Sequence, residues 1–277
     1  MAERIFLLDK DTIGMFSGLY TGLLPAGSLL TEDSVALGVS SGGTLAGLLI
    51  STVTSESVWL DWLYVKEDCR ESGIATRVLN HFAKHVAGTT SDNMIHVACT
   101  DEALRRVLLE FGFRFEDKVS CFMYEARISD MKDFGEVKED PHVIPLSSIG
   151  NIALNSTGQS LLDAKDANIG IQLPIAPDEF IDGSAAYLAD GKLDAGLFLK
   201  NDPKGVNIAY VFFTGGNPVN LVKVVDHAKK KILATHGSST VVSSIALNPK
   251  SEKMMESLFP NHRKYVVYNG ELPLFGW

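Results

Sequence analysis

An internal echo constrains this chain more than any other feature. The run Leu45-Ala46-Gly47-Leu48-Leu49-Ile50 returns as Asp194-Ala195-Gly196-Leu197-Phe198-Leu199, an offset of 149 residues. Each copy follows a turn, Gly42-Gly43 in one and Asp190-Gly191 in the other. The same offset carries Val58–Val65, rich in aromatic and β-branched residues, onto Asn207–Thr214, which reads as a strand on its own composition. The first half reads as strand Arg4–Leu8, a helix capped by Asp11 and running to about Leu24, and a hairpin of Val35–Ser40 and Thr44–Val53. Strand Val58–Val65, the polar loop Lys66–Ser72, helix Gly73–Ala87, strand Met94–Thr100, helix Asp101–Phe111 and closing strand Val119–Arg127 follow. The second half continues with a helix from Pro218 capped by Asn217, strand Thr240–Leu247, helix Pro249–Phe259 and last strand Lys264–Tyr268. The reading is an α+β fold in two tandem domains, 1–130 and 131–277, with a charged, proline-containing linker at about 130–145.

Composition narrows the function classes. With 45% hydrophobic and 21% charged residues the chain can bury sizeable cores, which excludes a largely disordered protein. A net charge of −9 argues against a nucleic-acid partner. The most apolar stretch, Ala36 to Ile50, is broken by Ser40, Ser41, Gly42, Gly43 and Thr44, so no membrane span is expected. Asp9, Lys10 and Asp11 leave no room for a signal peptide's apolar stretch, and Cys69, Cys99 and Cys121 form no zinc or disulfide pattern. A cytoplasmic location is the expectation. His81 and His85 share a polar helical stripe with Arg77 and lack a third ligand, so no metal site is expected. Lys229-Lys230-Lys231 is expected to face water.

The chemically suggestive stretch is Val65-Lys66-Glu67-Asp68-Cys69-Arg70-Glu71-Ser72-Gly73-Ile74-Ala75-Thr76, where a strand ends and a helix opens at a glycine. The first amides of a helix have no intrahelical partner, and the dipole adds positive charge there. Such a place binds phosphate, and Gly73 lets the backbone approach closely. Arg70 and Arg77 can add side-chain charge. The second copy has only Gly215, Gly216 and Asn217 between Thr214 and Pro218, too few to wrap a pyrophosphate.

With the elements in this order, residues 1–127 resemble the GNAT superfamily of acyl-CoA-dependent N-acyltransferases. The resemblance rests on the hairpin, the strand Leu60–Val65, the Arg70-x-x-Gly73-x-Ala75 loop and Glu110-Phe111-Gly112-Phe113. It implies two tandem GNAT-like domains, the second degenerate, each a mixed, mostly antiparallel sheet flanked by helices. The first sheet would splay between its fourth and fifth strands. Acetyl-CoA, the implied acyl donor, would lie in that split with its pyrophosphate on the amides of Arg70, Glu71, Ser72, Gly73, Ile74, Ala75 and Thr76. Its pantetheine arm would run along the backbone of Leu63 and Val65. An amine would attack the thioester directly, with no metal.

The departures from the family pattern shape the catalytic expectations. Members often carry an acidic Tyr four residues before the Gly of the Gly-Phe pair, and here that position is Leu108. Asp101 stands where many members have Asn. Asp61 stands four before Val65, where a Glu base is common. The resemblance therefore implies Asp61 as base and leaves Tyr64 or Tyr124 to replace the missing acid, with Cys99 a weaker choice. Strand alternation puts Tyr64 opposite Asp61 unless the strand is bulged.

The expected function is transfer of an acetyl group from acetyl-CoA to a small-molecule or peptide amine. The contrasting reading is a non-catalytic acyl-CoA-binding sensor or interaction module, and Leu108 is its motive. No motif identifies the acceptor; the resemblance assigns specificity to Asp11–Leu24, the 89–93 and 114–118 loops and the second copy. Two fused copies can imitate a dimer within one chain, so a monomer would suffice.

Overall fold

The computed structural model describes residues 3–20, 30–119, 121–163, 175, 177–202 and 204–277. They fall into two compact units, Met1–Val119 with Val266–Trp277, and Ser120–Tyr265. The fold is α+β, as the periodicities imply.

The first unit contains β1 (Glu3–Leu8), β2 (Ser34–Ser41), β3 (Thr44–Val53), β4 (Val58–Val65), α1 (Ile74–Val86), β5 (Met94–Cys99), α2 (Glu102–Phe111) and β6 (Arg114–Phe115). Strands β1 to β4 pair antiparallel in sequence order, whereas β4 and β5 run parallel. A parallel pair needs a crossover, which α1 supplies. Ile74, Val78, Leu79, Phe82 and Val86 recur at helical spacing and are buried against Leu37, Leu49, Leu60 and Ile95 on one face of the sheet. The opposite face of β1–β4 is covered by a 3-10 helix, Ile13–Leu19, whose Ile13, Phe16 and Leu19 pack with Leu48 and Ile50. The α-helix expected from Asp11 is thus replaced by a tighter turn. The Asp9 carboxylate accepts from the Thr12 amide (2.8 Å) and hydroxyl (2.7 Å), and Gly14 and Gly18 weaken α-helical propensity. Residues 21–24 of that expected helix lie outside the described residues.

The second unit contains β7 (Cys121–Arg127), β8 (Val143–Pro145), α3 (Asn151–Asp163), β9 (Ala185–Ala189), β10 (Lys192–Asp202), β11 (Gly205–Phe213), α4 (Pro218–His236), β12 (Val241–Ala246) and α5 (Pro249–Leu258). Its strand order is β8-β9-β10-β11-β12-β7, antiparallel except for the β11–β12 pair. Helix α4 buries Val224, Val225, Ala228 and Ile232 against Leu197, Leu199 and Val206. The expected linker is anchored here rather than loose. Asp140 accepts from Lys223 Nζ (2.5 Å), Tyr187 Oη (3.3 Å) and the His142 amide (2.9 Å). Lys229 Nζ donates to the Met131 carbonyl (3.0 Å) and Lys230 Nζ to that of Val137 (3.4 Å), so two of the three lysines expected only to face water tie this segment down.

The last strand is β13 (Arg263–Pro273), most of which falls in the first unit. Its residues Tyr268–Pro273 pair antiparallel with Met94–Cys99 of β5, and Gly270 and Glu271 also pair with β6. The segment expected to close the first domain, β7, instead pairs with β12. A cut at residue 130 therefore strips the first sheet of β13 and the second of β7. Alternating apolar residues fix which face of a strand is buried, and carry no label for which sheet receives it.

Candidate functional site

The first sheet forks where its parallel β4–β5 pair ends. Strands β4 and β5 are in register at Val58–Ile95, Trp59–His96 and Leu60–Val97, and no further pairing joins them. From Asp61 to Val65 the β5-facing backbone of β4 is left without a strand partner. This includes Leu63 and Val65, the two positions expected to pair with a pantetheine arm.

A β-bulge sits at the mouth of the fork. Ile50 of β3 faces Trp62 and the next residue, Ser51, faces Leu60, so Asp61 is the extra residue. Val58, Leu60, Leu63 and Val65 pack with the α1 cluster, whereas Trp62 and Tyr64 pack with the cluster of the 3-10 helix. The bulge thereby puts Tyr64 on the face of Asp61, the condition under which the two can act together. Asp61 accepts a 2.7 Å hydrogen bond from Thr52 Oγ1. Burial nevertheless dominates and pushes its carboxyl up to about 6. The side chain touches solvent on one side, and the protein around it removes hydration on the others. A base with this value ionises near neutral pH.

The loop after β4 has the features of an anion cradle. Gly73 precedes α1 with φ +79°, and the amides of Glu71, Ser72, Gly73, Ile74, Ala75 and Thr76 make no hydrogen bond among the described residues. Arg70 Nε donates to the Val65 carbonyl (3.1 Å), its guanidinium lies 5.8 Å from the Tyr64 ring centroid, and its half-exposed side chain brings Nη1 4.0 Å from Glu67 Oε1. Arg77 is committed elsewhere: Nε and Nη2 grip the Glu3 carboxylate (2.6 and 2.7 Å), and Nη2 donates to the Ser72 carbonyl (2.8 Å). It fastens the loop to β1.

The other candidates separate. Leu108 is fully buried in the α1 cluster. Asp101 caps α2, accepting from the amides of Ala103 (2.7 Å) and Leu104 (3.4 Å). Burial pushes the Cys99 thiol up to about 11, so it stays protonated at neutral pH. Tyr124 belongs to the second unit's core, where its hydroxyl donates to Glu252 (3.3 Å) and Glu256 (3.2 Å), and burial raises its phenol against the pull of Lys264. Asp61 and Tyr64 thus share one face of β4, whereas Tyr124 lies in the core of the second unit. Thr52 escaped the sequence reading, since nothing local marks a threonine whose partner lies across a hairpin.

The second unit keeps the bulge and loses the chemistry. Phe198 faces Tyr210 and Leu199 faces Ile208, so the extra residue is Ala209, which has no ionisable group. At the start of α4, the Asp194 carboxylate accepts from Thr214 Oγ1 (2.8 Å) and Asn220 Nδ2 (2.8 Å), with the Gly216 amide beside it. A Cβ at Gly216 would come within 2.4 Å of Asp194 Oδ1. The protein's own carboxylate occupies this helix start. No group of three or more metal-ligating side chains occurs among the described residues.

Residues 14–113 match the model of the acetyltransferase (GNAT) family. No curated protein sequence matches the chain. Among solved structures, a tandem GNAT protein from the clavulanic acid biosynthesis pathway is 13% identical, covers 98% of each chain and superposes with a TM-score of 0.66. A protein from Pyrococcus horikoshii described as a candidate acetyltransferase is 12% identical, with 98% of this chain and 89% of that one covered and a TM-score of 0.61. At these identities the likeness is one of fold.

Proposed function

We propose that the protein transfers an acetyl group from acetyl-CoA to an amine; the match of residues 14–113 to the acetyltransferase (GNAT) family model and the tandem GNAT-like fold support the reading. The observation that carries the reading is the desolvated Asp61 carboxylate on a bulge at the fork of the sheet. In this reading the free amides of Glu71–Thr76 hold the pyrophosphate, helped by Arg70, and the backbone of Leu63 and Val65, beyond the end of the β4–β5 pairing, holds the pantetheine arm. Asp61, directly or through water, takes a proton from the acceptor ammonium. The amine nitrogen then attacks the thioester carbonyl, the C–N bond forms and the C–S bond breaks. The departing thiolate takes a proton from Tyr64 or from solvent, and the second proton leaving the attacking nitrogen replaces it. Positioning and a tuned base supply the rate without a covalent intermediate.

A sensor that binds acyl-CoA without turnover is the second reading, favoured by Leu108, which fills the usual acid's place with a buried aliphatic side chain. Thiol release from acetyl-CoA across a panel of small-molecule and peptide amines tests both. Turnover with any amine above the rate in water supports transfer. Tight CoA binding with no turnover on any of them supports the sensor.

A further inference from the structure

On the face of β5 opposite α1, next to the fork, stands an imidazole that no sequence motif singles out. His96 of β5 is in register with Trp59 of β4 on one side and with Glu271 of β13 on the other. Its Nε2 lies 2.7 Å from Asp92 Oδ2, and its ring stacks on Trp59 at 5.1 Å between centroids and 30° between planes. Asp92 is itself fixed by Thr90 Oγ1 (3.1 Å) and the Met94 amide (3.2 Å). With Nε2–H donated to Asp92, the lone pair is on Nδ1, which makes no hydrogen bond among the described residues. A carboxylate that fixes one imidazole nitrogen and frees the other is how a protein orients a histidine base.

The position of this pair gives it a use. Pairing of β4 with β5 stops at Leu60–Val97, so His96 stands just before the fork and Asp61 just after it, on the same face. Asp61 lies two positions along β4 from Trp59, the residue in register with His96. The β5 residue next to Asp61 on that face is Ala98, exposed and too small to fill the gap. The charged groups around His96 are Asp92 from the turn before β5, Glu271 from β13 and Asp61 diagonally from β4.

We propose that His96, oriented by Asp92, is a second proton-handling residue that passes protons between Asp61 and solvent. The proposal rests on the acyl-transfer reading. Converting an ammonium and a thioester to an amide and a thiol releases one net proton. The first ammonium proton goes to Asp61, then through water to His96 Nδ1 and out to solvent. A second proton leaves the attacking nitrogen as the C–S bond breaks and ends on the CoA thiol. Asp61 is thereby returned to its basic form for the next turnover.

The test compares wild type, His96→Gln and Asp92→Asn in steady-state acetyl transfer from pH 5.5 to 9, with thermal melts to confirm folding. His96→Gln is expected to lower kcat by about 10- to 100-fold, less than loss of the direct base would, with KM for acetyl-CoA unchanged. Added imidazole should restore part of the rate, and the acidic limb of the kcat profile should shift. Asp92→Asn should give a smaller loss of the same kind. A folded His96→Gln protein with wild-type kcat at every pH overturns the proposal. So does a loss confined to KM or to stability, with an unchanged pH profile and no imidazole rescue. A wild-type protein that acetylates no amine overturns the acyl-transfer reading and this proposal together; an active wild type beside an unaltered variant overturns only this one.

Discussion

Thr52 Oγ1 donates to Oδ2 of Asp61 at 2.7 Å, although in register Thr52 faces Trp59. The bulge swings the carboxylate back toward β3, where a hydroxyl holds it in one orientation. The hydrogen bond lowers the Asp61 value and burial raises it, and burial wins. If Asp61 is the base, Asp61→Asn should cut kcat by roughly 10²–10⁴-fold while CoA affinity stays within a factor of a few. Steady-state rates together with titration calorimetry check this. Wild-type turnover in the folded variant would remove Asp61 from the mechanism.

The same substitution should act on stability with the opposite sign. A carboxyl raised from 3.8 to about 6 on folding contributes stability that is full below the unfolded value and is lost as pH rises through the folded one. Asparagine cannot ionise, so Asp61→Asn should melt higher than wild type at pH 8 and equally at pH 3.5. After discounting for the solvent-facing side of the group, the gain is about 1 kcal/mol, or about 2–4 °C in Tm.

In the loop, Gly73→Val meets two obstacles: φ of +79°, and a Cβ 2.8 Å from Arg77 Nη1. CoA binding should weaken by about 10-fold or more, the cost of misplacing charge-assisted amide bonds to phosphate. Arg77→Ala should cost less, because that side chain grips Glu3 and the Ser72 carbonyl. Calorimetric affinities rank the two; unchanged binding in a folded Gly73→Val protein would place the pyrophosphate elsewhere.

One CoA should bind per chain. In the second unit Asp194 sits at the start of α4, and Ala209 replaces the carboxylate at the bulge. Two comparable calorimetric sites per chain would contradict this.

Asp140 ties the segment after β7 to α4. Hydrogen bonds from Lys223 and from the backbone and ring of His142 hold its carboxyl well below the usual carboxylate range. Stability from such a group is present above 3.8 and is lost as pH falls below it. Asp140→Asn should therefore lower Tm at pH 7, and the gap to wild type should narrow in melts taken below about pH 4.

Local signals and long-range choices divided cleanly between sequence and structure. The helix α1, the hairpin and the Gly73 loop were legible because their residues lie within one or two turns of each other. The bulge at Asp61 could be stated as a condition for Tyr64 and no more, since it depends on how β3 meets β4. Tyr124 lies on a strand whose local pattern reads as the end of the first unit, whereas that strand pairs with β12 of the second. The hold of Lys229 and Lys230 on backbone carbonyls roughly 95 residues away leaves no trace in a run of three lysines.

The late arrival of β13 has a consequence for synthesis. Between Val119 and Val266 the ribosome must make the 146 residues of the second unit before the first can close its sheet. At about 5–20 residues per second that is roughly 7–30 s, during which the free edge of β5 stays unpaired and open to rival strands. The nascent first unit is therefore a natural client for a chaperone. A messenger truncated between codons 120 and 268 should yield aggregating protein, even though every residue of the loop and Asp61 has already been made.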